Sequence, residues 1–338
     1  MREVNLQIEK LSIGYGKFAV DECIVGKNLN GSLLAGELTC LLGANGVGKS
    51  TLLRTLSGFQ PYLRGAVKIL GKELTTYSIE ERAKLISVVL TERIDLENFT
   101  VKELIALGRS PFTNFWGRLS PGDEEVVCGA MELVHITHLK ERMVNSLSDG
   151  ERQKCFIAKA LVQETPFIFL DEPTAFLDYP SKVEMMQLLH LLSRETGKTI
   201  FLSTHDLELA LQLADKLWLL APEGLTIGAP EDLALDGSLE RAFAHQGVWF
   251  DSESGLFKVK HRLTEKIQLL GDRAKQSLIR SALARVGVEV VAKKTEWWIE
   301  VVEENNQKVA FILSNGKEKL HFNSVESLVH KVELLVKN

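Results

Sequence analysis

The sequence lacks several features that define common classes of protein. Its 338 residues include only four cysteines, and none has C-x-x-C spacing, so the sequence predicts neither a disulfide framework nor a zinc site and suits a reducing compartment. No apolar run approaches the roughly 18 residues that span a bilayer, and the first residues form no apolar signal region. The formal net charge of −5 gives no support for nonspecific binding to nucleic acid. What remains is an ordinary globular composition, in a length that suits one large domain and one small domain.

A glycine-rich loop is the most specific motif in the chain. It has the pattern G-x-x-x-x-G-K-[ST], and it lies between an apolar strand at residues 37–42 and a helix that starts near residue 52. In this arrangement the backbone N–H groups at the helix start point towards a phosphate, the lysine faces the β and γ phosphates, and the next hydroxyl suits Mg²⁺. The predicted nucleotide-binding residues are Gly43, Ala44, Asn45, Gly46, Val47, Gly48, Lys49, Ser50 and Thr51. The loop predicts a nucleoside triphosphate site but does not say which kind of protein carries it.

A second segment, residues 167–172 (FIFLDE), places two carboxylates after four apolar residues. The pattern predicts a buried parallel strand whose acidic end reaches the ligand edge of a sheet. There Asp171 could bind Mg²⁺, and Glu172 could activate the water that attacks the γ phosphate. For this segment alone, an ordinary strand that ends in acids explains the pattern equally well.

A third segment, residues 147–154 (LSDGERQK), decides between these alternatives. Ser148 and Gly150 at a helix start predict a second anion site, and Ser148 with Glu151 also has the spacing of a capping box; the two interpretations are compatible. The segment resembles the signature sequence of the ABC (ATP-binding cassette) ATPases. In that family the signature lies about twenty residues before the acidic strand, as it does here.

Other marks of the family follow in order. Residues 175–178 resemble the D-loop, which ends here in Asp178, and residues 199–206 resemble the strand that ends in the switch histidine, here His205. Tyr15 matches the aromatic residue that stacks on adenine in the family. The alternatives are a structural histidine and a surface tyrosine in a glycine turn. Together the motifs cover residues 1 to about 245.

The resemblance implies an α/β fold, in which a P-loop NTPase ABC cassette at residues 1–257 combines a mixed sheet core, an antiparallel β-subdomain and a helical subdomain at about residues 92–165. Residues 258–338 predict a separate small α+β domain with the order α-β-β-β-α. Its three strands are predicted at residues 288–291, 297–302 and 308–313, with hairpin turns at residues 305–306 and 315–316. Adjacent Trp297 and Trp298 would project from opposite faces of a strand.

Residues 101–112 (VKELIALGRSPF) resemble the ATPases that serve importers of iron–siderophore complexes, ferric citrate, haem and cobalamin, and the Gly-Arg-x-Pro element carries most of that resemblance. It implies an ATP-hydrolysing importer subunit that works as a homodimer, with ATP as substrate and Mg²⁺ as cofactor. Its partners would be two transmembrane permease subunits on separate chains and, indirectly, a substrate-binding protein, but no nucleic acid. Its place would be the cytoplasmic face of the inner (plasma) membrane, as a peripheral protein.

The resemblance also implies a mechanism and assigns residues to it. Two copies meet head to tail, so that each ATP lies between the phosphate loop of one copy and the signature of the other. The catalytic residues would be Lys49, Glu172 and His205, and the signature residues Ser148, Asp149, Gly150 and Glu151. The Mg²⁺ ligands would be Ser50 and Asp171, with Thr91 as a further candidate.

Two departures from the family pattern bear on that mechanism. Thr91 stands where the family has a glutamine that reaches the metal, so a water molecule or Glu92 would have to bridge the remaining distance. Asp149 and Glu151 replace the commoner glycine and glutamine of the signature. Because Gly150, the position of closest approach, is kept, we interpret both as tolerated variants that bear on the rate of hydrolysis.

The alternatives within and beyond the family are an ABC exporter ATPase and a soluble ABC ATPase that acts on nucleic acid or ribosomes. The first is disfavoured by the Gly-Arg-x-Pro element. The second is disfavoured because the chain has no second cassette, no long coiled-coil insertion and no zinc-binding cysteines. A GTPase is disfavoured because no Asn-Lys-x-Asp motif occurs, and a purely regulatory protein because Lys49, Asp171, Glu172 and His205 are all present.

Overall fold

The computed structural model of the protein describes residues 3–16, 22–91, 98–113, 117–243, 248–251, 255–271, 273–304 and 308–336. The chain divides into two units, Met1–Lys258 and Val259–Asn338. Within the described ranges, no helix is both long enough and apolar enough to cross a membrane.

A six-stranded mixed sheet forms the centre of the larger unit. Its strands are β3 (Leu38–Leu42), β6 (Ile86–Val89), β7 (Phe167–Asp171), β8 (Thr199–Ser203), β9 (Lys216–Ala221) and β10 (Gly224–Gly228). They lie in the order β10-β9-β3-β8-β7-β6, and all neighbours are parallel except β9 and β10, which form an antiparallel hairpin. Every residue of β3, β7 and β8 is buried, as continuous apolar strands with both faces covered require.

A four-stranded antiparallel sheet packs on one side of this core. Its strands are β1 (Val4–Tyr15), β2 (Cys23–Leu34), β4 (Arg64–Ile69) and β5 (Lys72–Glu73), in the order β2-β1-β4-β5. Leu6 and Ile8 of β1 join Phe169, Phe201 and Trp218 of the central strands in one buried apolar cluster. Alternate central residues such as Ile168, Leu170 and Leu202 point to the other face, into a second cluster.

Nine named helices lie in the described part of the larger unit. They are α1 (Lys49–Leu56), α2 (Ile79–Ala83), α3 (Val101–Ala106), α4 (Pro121–Leu133), α5 (Asp149–Leu161), α6 (Tyr179–Thr196), α7 (Leu207–Leu213), α8 (Pro230–Leu235) and α9 (Ser238–Phe243). Single 3₁₀ turns lie at Leu74–Thr76, Leu107–Arg109, Thr137–Leu139 and Val144–Ser146. Strands β11 (Val248–Asp251) and β12 (Leu256–Val259) form a two-stranded sheet.

The three helices between β6 and β7 begin with the same device. Thr100, Ser120 and Ser148 each cap a helix, and the side chain three residues later bonds back to the cap residue, which makes three complete capping boxes. Each box satisfies two N–H groups that a helix start would otherwise leave unpaired. The spacing of Ser148 and Glu151 predicted the last of these boxes, and the structure confirms it.

The smaller unit is an α+β domain with more strands than the sequence predicts. Its elements are β13 (Glu265–Leu270), α10 (Arg273–Arg285), β14 (Val288–Val291), β15 (Trp298–Glu304), β16 (Lys308–Ser314), β17 (Lys319–Phe322) and α11 (Val325–Val336). The sheet order is β14-β13-β15-β16-β17; β13 is parallel to β14 and β15, and the other neighbours are antiparallel.

The predicted order α-β-β-β-α is therefore wrong, because β13 precedes the first helix and β17 precedes the last. Strand β13 buries only two side chains, those of Ile267 and Leu269, and β17 only half-buries two, those of Leu320 and Phe322. Such short alternation is too weak a signal to find in sequence. The turn predicted at residues 315–316 is confirmed, since it joins β16 to β17, whereas the turn predicted at residues 305–306 lies outside the described residues.

The two adjacent tryptophans point in opposite directions, as predicted. Trp297 packs against the apolar core of the smaller unit, on the same side as Ile299. Trp298 projects from the other face of β15, where its ring lies 5.9 Å from Nζ of Lys294. One indole therefore belongs to the core and the other does not.

Candidate nucleotide site

The carboxyl ends of three neighbouring parallel strands bring the candidate site together. Strand β3 leads into the glycine-rich loop and α1, β7 ends at Asp171, and β8 is followed by His205. Because β7 and β3 are both direct neighbours of β8, residues more than 100 positions apart in sequence meet at this edge. Open α/β sheets bind their ligands at such an edge.

The loop between β3 and α1 depends on glycine for its shape. Gly48, the N-cap of α1, has φ of 110°, and an added Cβ would lie 2.2 Å from Cγ1 of Val25. A Cβ on Gly43 would lie 2.4 Å from the carbonyl oxygen of Leu220. Both contacts exclude a side chain, so the backbone lies against its neighbours and leaves its N–H groups available at the start of α1.

Lys49, the first residue of α1, follows this loop and is almost fully buried, with 6% of its surface exposed. Its Nζ donates hydrogen bonds to the carbonyl oxygens of Gly43 at 2.9 Å and Ala44 at 3.0 Å. Burial lowers the pKa of Lys49, and the negative charges of Glu172 and Asp171 oppose that shift. The ammonium is thus held beside two carboxylates, where it can meet a polyphosphate.

A cluster of oxygen atoms surrounds the carboxylate of Asp171. Its Oδ1 accepts hydrogen bonds from Ser203 Oγ at 2.6 Å and Ser50 Oγ at 3.2 Å. The hydroxyl of Thr91 donates to the backbone carbonyl of Asp171 at 2.6 Å. Hydroxyl and carboxylate oxygens are the ligands that Mg²⁺ prefers, and this ion is commonly held by one or two carboxylates together with substrate phosphates. The donor set at Ser50 and Asp171 therefore fits Mg²⁺.

Glu172 adopts a backbone conformation that is unusual for a residue with a side chain. Its φ is 50°, and its N–H donates to Ser203 Oγ at 3.0 Å. Its Oε1 lies 2.5 Å from Nε2 of His205. Left-handed backbone at a bulky residue is costly and is concentrated at functional sites. Here it places the carboxylate next to His205, with both side chains partly exposed.

Two further predicted residues are Tyr15, next to α1, and Asp178, at the start of α6. The hydroxyl of Tyr15 is 3.1 Å from Oγ1 of Thr51, and the ring is half exposed, so Tyr15 stands over the start of α1 with a face free for stacking. Asp178 caps α6 by accepting the N–H of Ser181 at 3.0 Å.

The signature residues form their own group at the start of α5. Ser148 Oγ accepts the N–H of Glu151, and both the N–H and the hydroxyl of Ser148 donate to the Glu151 carboxylate. The bond from the Ser148 N–H, followed by that from its hydroxyl, lowers the pKa of Glu151. A Cβ on Gly150 would meet only Ser181, 3.9 Å away, so the backbone of Gly150 is accessible. The structure thus presents a capped helix start with an open glycine.

Sequence reasoning missed a network that joins the histidine loop to α6. Asp206 accepts hydrogen bonds from Thr174 Oγ1 at 2.5 Å and from Lys182 Nζ at 2.8 Å. It also missed Ser203, which links Asp171 to Glu172. Their nearness to His205 in sequence was the signal that could have indicated a role for Asp206 and Ser203. Their partners are 24 to 32 residues away and form no recognisable motif with them.

Comparison with known proteins agrees with this geometry. The ABC transporter family model matches residues 26–175. The uncharacterised ABC transporter ATP-binding protein MJ0873 of Methanocaldococcus jannaschii is 36% identical over 257 residues, which are 76% of this chain and 87% of that protein. The ferric enterobactin transport ATP-binding protein FepC of Escherichia coli is 38% identical over 240 residues, which are 70% of this chain and 86% of that protein. The chain belongs to the ABC transporter ATP-binding proteins.

Membership in the ABC family makes this protein an ATPase that binds nucleotide, and it implies membrane permease partners and a paired cassette. A second family model, described as the iron ABC transporter C-terminal domain, matches residues 264–333 of this ABC protein. Among solved structures, an inward-facing ABC transporter described as a candidate of the metal-chelate type is 28% identical, with a TM-score of 0.62, and the match covers 72% of this chain and 90% of that chain.

Proposed function

We propose that this ABC protein is the ATP-hydrolysing subunit of an importer for iron chelates of the siderophore type. The match of residues 264–333 to the iron ABC transporter C-terminal domain is the observation that carries the proposal. It is supported by the similarity to FepC, whose name assigns it to ferric enterobactin transport, and by the Gly-Arg-x-Pro element at residues 108–111. Ferric citrate, haem and cobalamin remain the alternative cargoes.

The loop and the strand ends give each residue a role in the proposed reaction. The N–H groups at the start of α1 and the ammonium of Lys49 bind the β and γ phosphates, and Tyr15 stacks on the adenine. Ser50 and Asp171 hold Mg²⁺, which supplies charge neutralisation when bound. Thr91 supports this site through its hydrogen bond to the carbonyl of Asp171.

Glu172 acts as the general base for the attacking water. Its carboxylate contacts His205 at 2.5 Å, so a move of the imidazole to the γ phosphate would free a carboxylate oxygen to accept the proton of the water. The hydrogen bond from the Glu172 N–H to Ser203 keeps the carboxylate at the strand edge while the histidine moves. Glu172 would therefore become free to accept a proton only when the γ phosphate is present to bind His205.

In the proposed assembly two copies meet head to tail. The ATP held by one copy is completed by Ser148, Asp149, Gly150 and Glu151 of the other, whose capped helix start offers N–H groups and positive dipole charge to the γ phosphate. Asp178 lies at the same interface. Hydrolysis removes the γ phosphate contact and reopens the dimer, which moves two separate permease subunits at the cytoplasmic face of the inner (plasma) membrane. A substrate-binding protein delivers the cargo to those permeases.

Uptake in cells tests the proposal. A strain without this chain should lose accumulation of ⁵⁵Fe–siderophore but keep accumulation of labelled cobalamin; wild-type chain should restore the iron uptake, and the Glu172→Gln variant should not. Loss of cobalamin uptake alone would reassign the cargo. If the strain without this chain takes up all chelates at the wild-type rate but accumulates a compound that the wild type exports, the exporter alternative is favoured.

A further inference from the structure

Arg109, the arginine of the Gly-Arg-x-Pro element, is buried at the junction of three helical segments. Its side chain is 8% exposed, and the guanidinium makes three short polar contacts. Nε donates to Oδ1 of Asp123 at 2.8 Å, and Nη1 donates to the carbonyl oxygen of Val162 at 2.7 Å and to Oε2 of Glu164 at 2.5 Å. One cation thus joins partners that are 14, 53 and 55 residues away in sequence.

Two of these contacts fix the far end of the signature helix. Val162 is the C-cap of α5, and the last carbonyls of a helix have no partner within the helix and carry partial negative charge. The guanidinium satisfies one of these carbonyls and brings a full positive charge to that end. The residue before it packs equally closely, because a Cβ on Gly108 would lie 2.2 Å from the carbonyl oxygen of Lys159 in the last turn of α5.

The third contact fixes the start of α4. Asp123 is the third residue of α4 and closes its capping box, and its Oδ2 accepts hydrogen bonds from both the N–H and the hydroxyl of Ser120. The Oδ1 atom is left for Arg109. These bonds, the Ser120 ones first and then that of Arg109, lower the pKa of Asp123 to about 2, so the carboxylate stays charged opposite the guanidinium.

Helix α5 connects this junction to the signature residues. It has 13 residues, so Ser148 at its start and Val162 at its end are about 20 Å apart along a rigid rod. A tilt at the fixed end therefore displaces the other end. Ser148 forms its capping bonds with Glu151 of α5, and these bonds hold the shape of the helix start. Ion pairs of Glu151 with Arg142 and of Lys154 with Glu184 join this part of α5 to neighbouring segments, so its position depends on those contacts as well as on the fixed far end.

We propose that Arg109 is a positioning residue for the signature motif: by fixing the C-terminal end of α5 to α4 and to the segment of Gly108, it sets where Ser148 and Gly150 meet the ATP of the second copy. The inference rests on the proposed function, because the signature has a ligand only in the head-to-tail dimer. Lysine could not replace the arginine, since a single ammonium cannot reach all three acceptors with the planar, forked geometry of a guanidinium.

The test uses the purified full chain and separates the two halves of the ATP site. Binding of a fluorescent ATP analogue to the phosphate loop gives Kd, and steady-state hydrolysis gives kcat and KM. Arg109→Gln should lower kcat by about 10- to 100-fold, as misplacement of a catalytic surface by about an ångström does, and leave Kd within about twofold. Arg109→Lys should restore only part of the loss, and Arg118→Gln, an exposed arginine in the segment before α4, should match the wild type.

A double-mutant comparison shows whether Arg109 acts through α5. If it does, Arg109→Gln combined with Ser148→Ala should cost little more than Ser148→Ala alone, because both remove the same contact with ATP. Multiplied effects in the double variant, or wild-type kcat in a folded Arg109→Gln protein, would overturn the inference. If Arg109→Gln does not fold, Arg109→Lys decides: wild-type kcat in that variant also overturns it. If Ser148→Ala itself leaves kcat unchanged, the proposed role of the signature fails, and the inference fails with it.

Discussion

In the larger unit, polar side chains at the ends of β3, β7 and β8 bond to partners far away in sequence; Ser50 and Asp171, for example, are 121 residues apart. In the smaller unit, the described side-chain hydrogen bonds span shorter distances in sequence: Ser324 and Ser327 lie one helical turn apart, and Gln268 and Thr295 are 27 residues apart. Both units have an apolar core of the same kind. The larger unit differs because several polar groups are held in one fixed arrangement.

This difference explains why the function of the larger unit can be predicted from its sequence and that of the smaller unit cannot. Chemistry requires particular residue types at particular places, so a phosphate loop or an acidic strand end leaves a pattern in sequence. A packed core requires only apolar side chains with the right period, which many sequences satisfy. The sequence of the smaller unit therefore predicts its fold class but no reaction.

Glu172→Gln should have the largest effect, because it removes the proposed base and keeps the size of the side chain. We expect turnover to fall by about 10²- to 10⁴-fold, the usual worth of a positioned base, while ATP binding persists and an ATP-bound dimer accumulates. Steady-state hydrolysis and size-exclusion chromatography measure the two outcomes. Glu132→Gln, the same change on the exposed side of α4, is the matched control. Turnover at the wild-type rate in Glu172→Gln would remove the general-base assignment.

Lys49→Ala should weaken nucleotide binding by about 10- to 100-fold, because hydrogen bonds to a charged group contribute roughly 1.5–3 kcal/mol. Titration with a fluorescent ATP analogue measures the change in Kd. Lys140→Ala, which removes an exposed lysine from the same unit, should bind like the wild type. An unchanged Kd in Lys49→Ala would mean that the buried ammonium serves the loop carbonyls of Gly43 and Ala44 alone.

Trp297→Ala should destabilise the smaller unit by about 2 kcal/mol, since full truncation of a buried Trp costs roughly 3–5 kcal/mol and Trp297 is only partly buried. Its neighbour Trp298, on the other face of β15, should cost less when changed to Ala. Hydrogen exchange of the backbone amides of residues 298–304 and 308–314 in the full chain measures both. Equal costs would show that the two faces of the sheet are equally covered.

Deletion of residues 260–338 should have the smallest effect on the nucleotide site, with Kd for ATP within about twofold of the full chain, because the site residues all lie in the larger unit. We propose that the deletion instead changes dimerisation or coupling to the membrane partner. Light scattering with ATP and hydrolysis in the reconstituted transporter test this part. If the truncated protein folds but no longer binds ATP, the smaller unit is part of the nucleotide site and the expected difference between the two units is wrong.

The sequence predicted those parts of the molecule whose causes are local. Strand β8 lies within the segment predicted as the strand before His205, because its apolar run is complete within five residues. Gly197 ends α6 as its left-handed C-cap, which is a local feature of the same kind. The capping box at Ser148 needs only four residues, and it too was predictable.

Other features could not be predicted, because their causes are distant in the chain. Arg109 was recognised only as part of a family pattern, whereas its partner Val162 becomes visible when α5 folds against α3. The position of Ser203 beneath Asp171 depends on the register of β7 and β8, which pairs exactly these two residues. Strands β13 and β17 bury too few side chains to stand out, and neighbouring strands supply the rest of their stability.

The position of β3 at the middle of its sheet has a consequence for how the protein folds during its synthesis on the ribosome. The strand that carries the phosphate loop ends at Leu42, yet its two neighbours, β8 and β9, are completed only at Ser203 and Ala221. At roughly 5–20 residues per second, synthesis of the intervening chain takes about 10 to 40 seconds. Until β8 is synthesised, this strand, whose residues are all buried in the folded protein, has no partner on either edge. The nascent chain therefore depends on the tunnel, on chaperones or on temporary cover by the early antiparallel sheet until synthesis passes the last central strand.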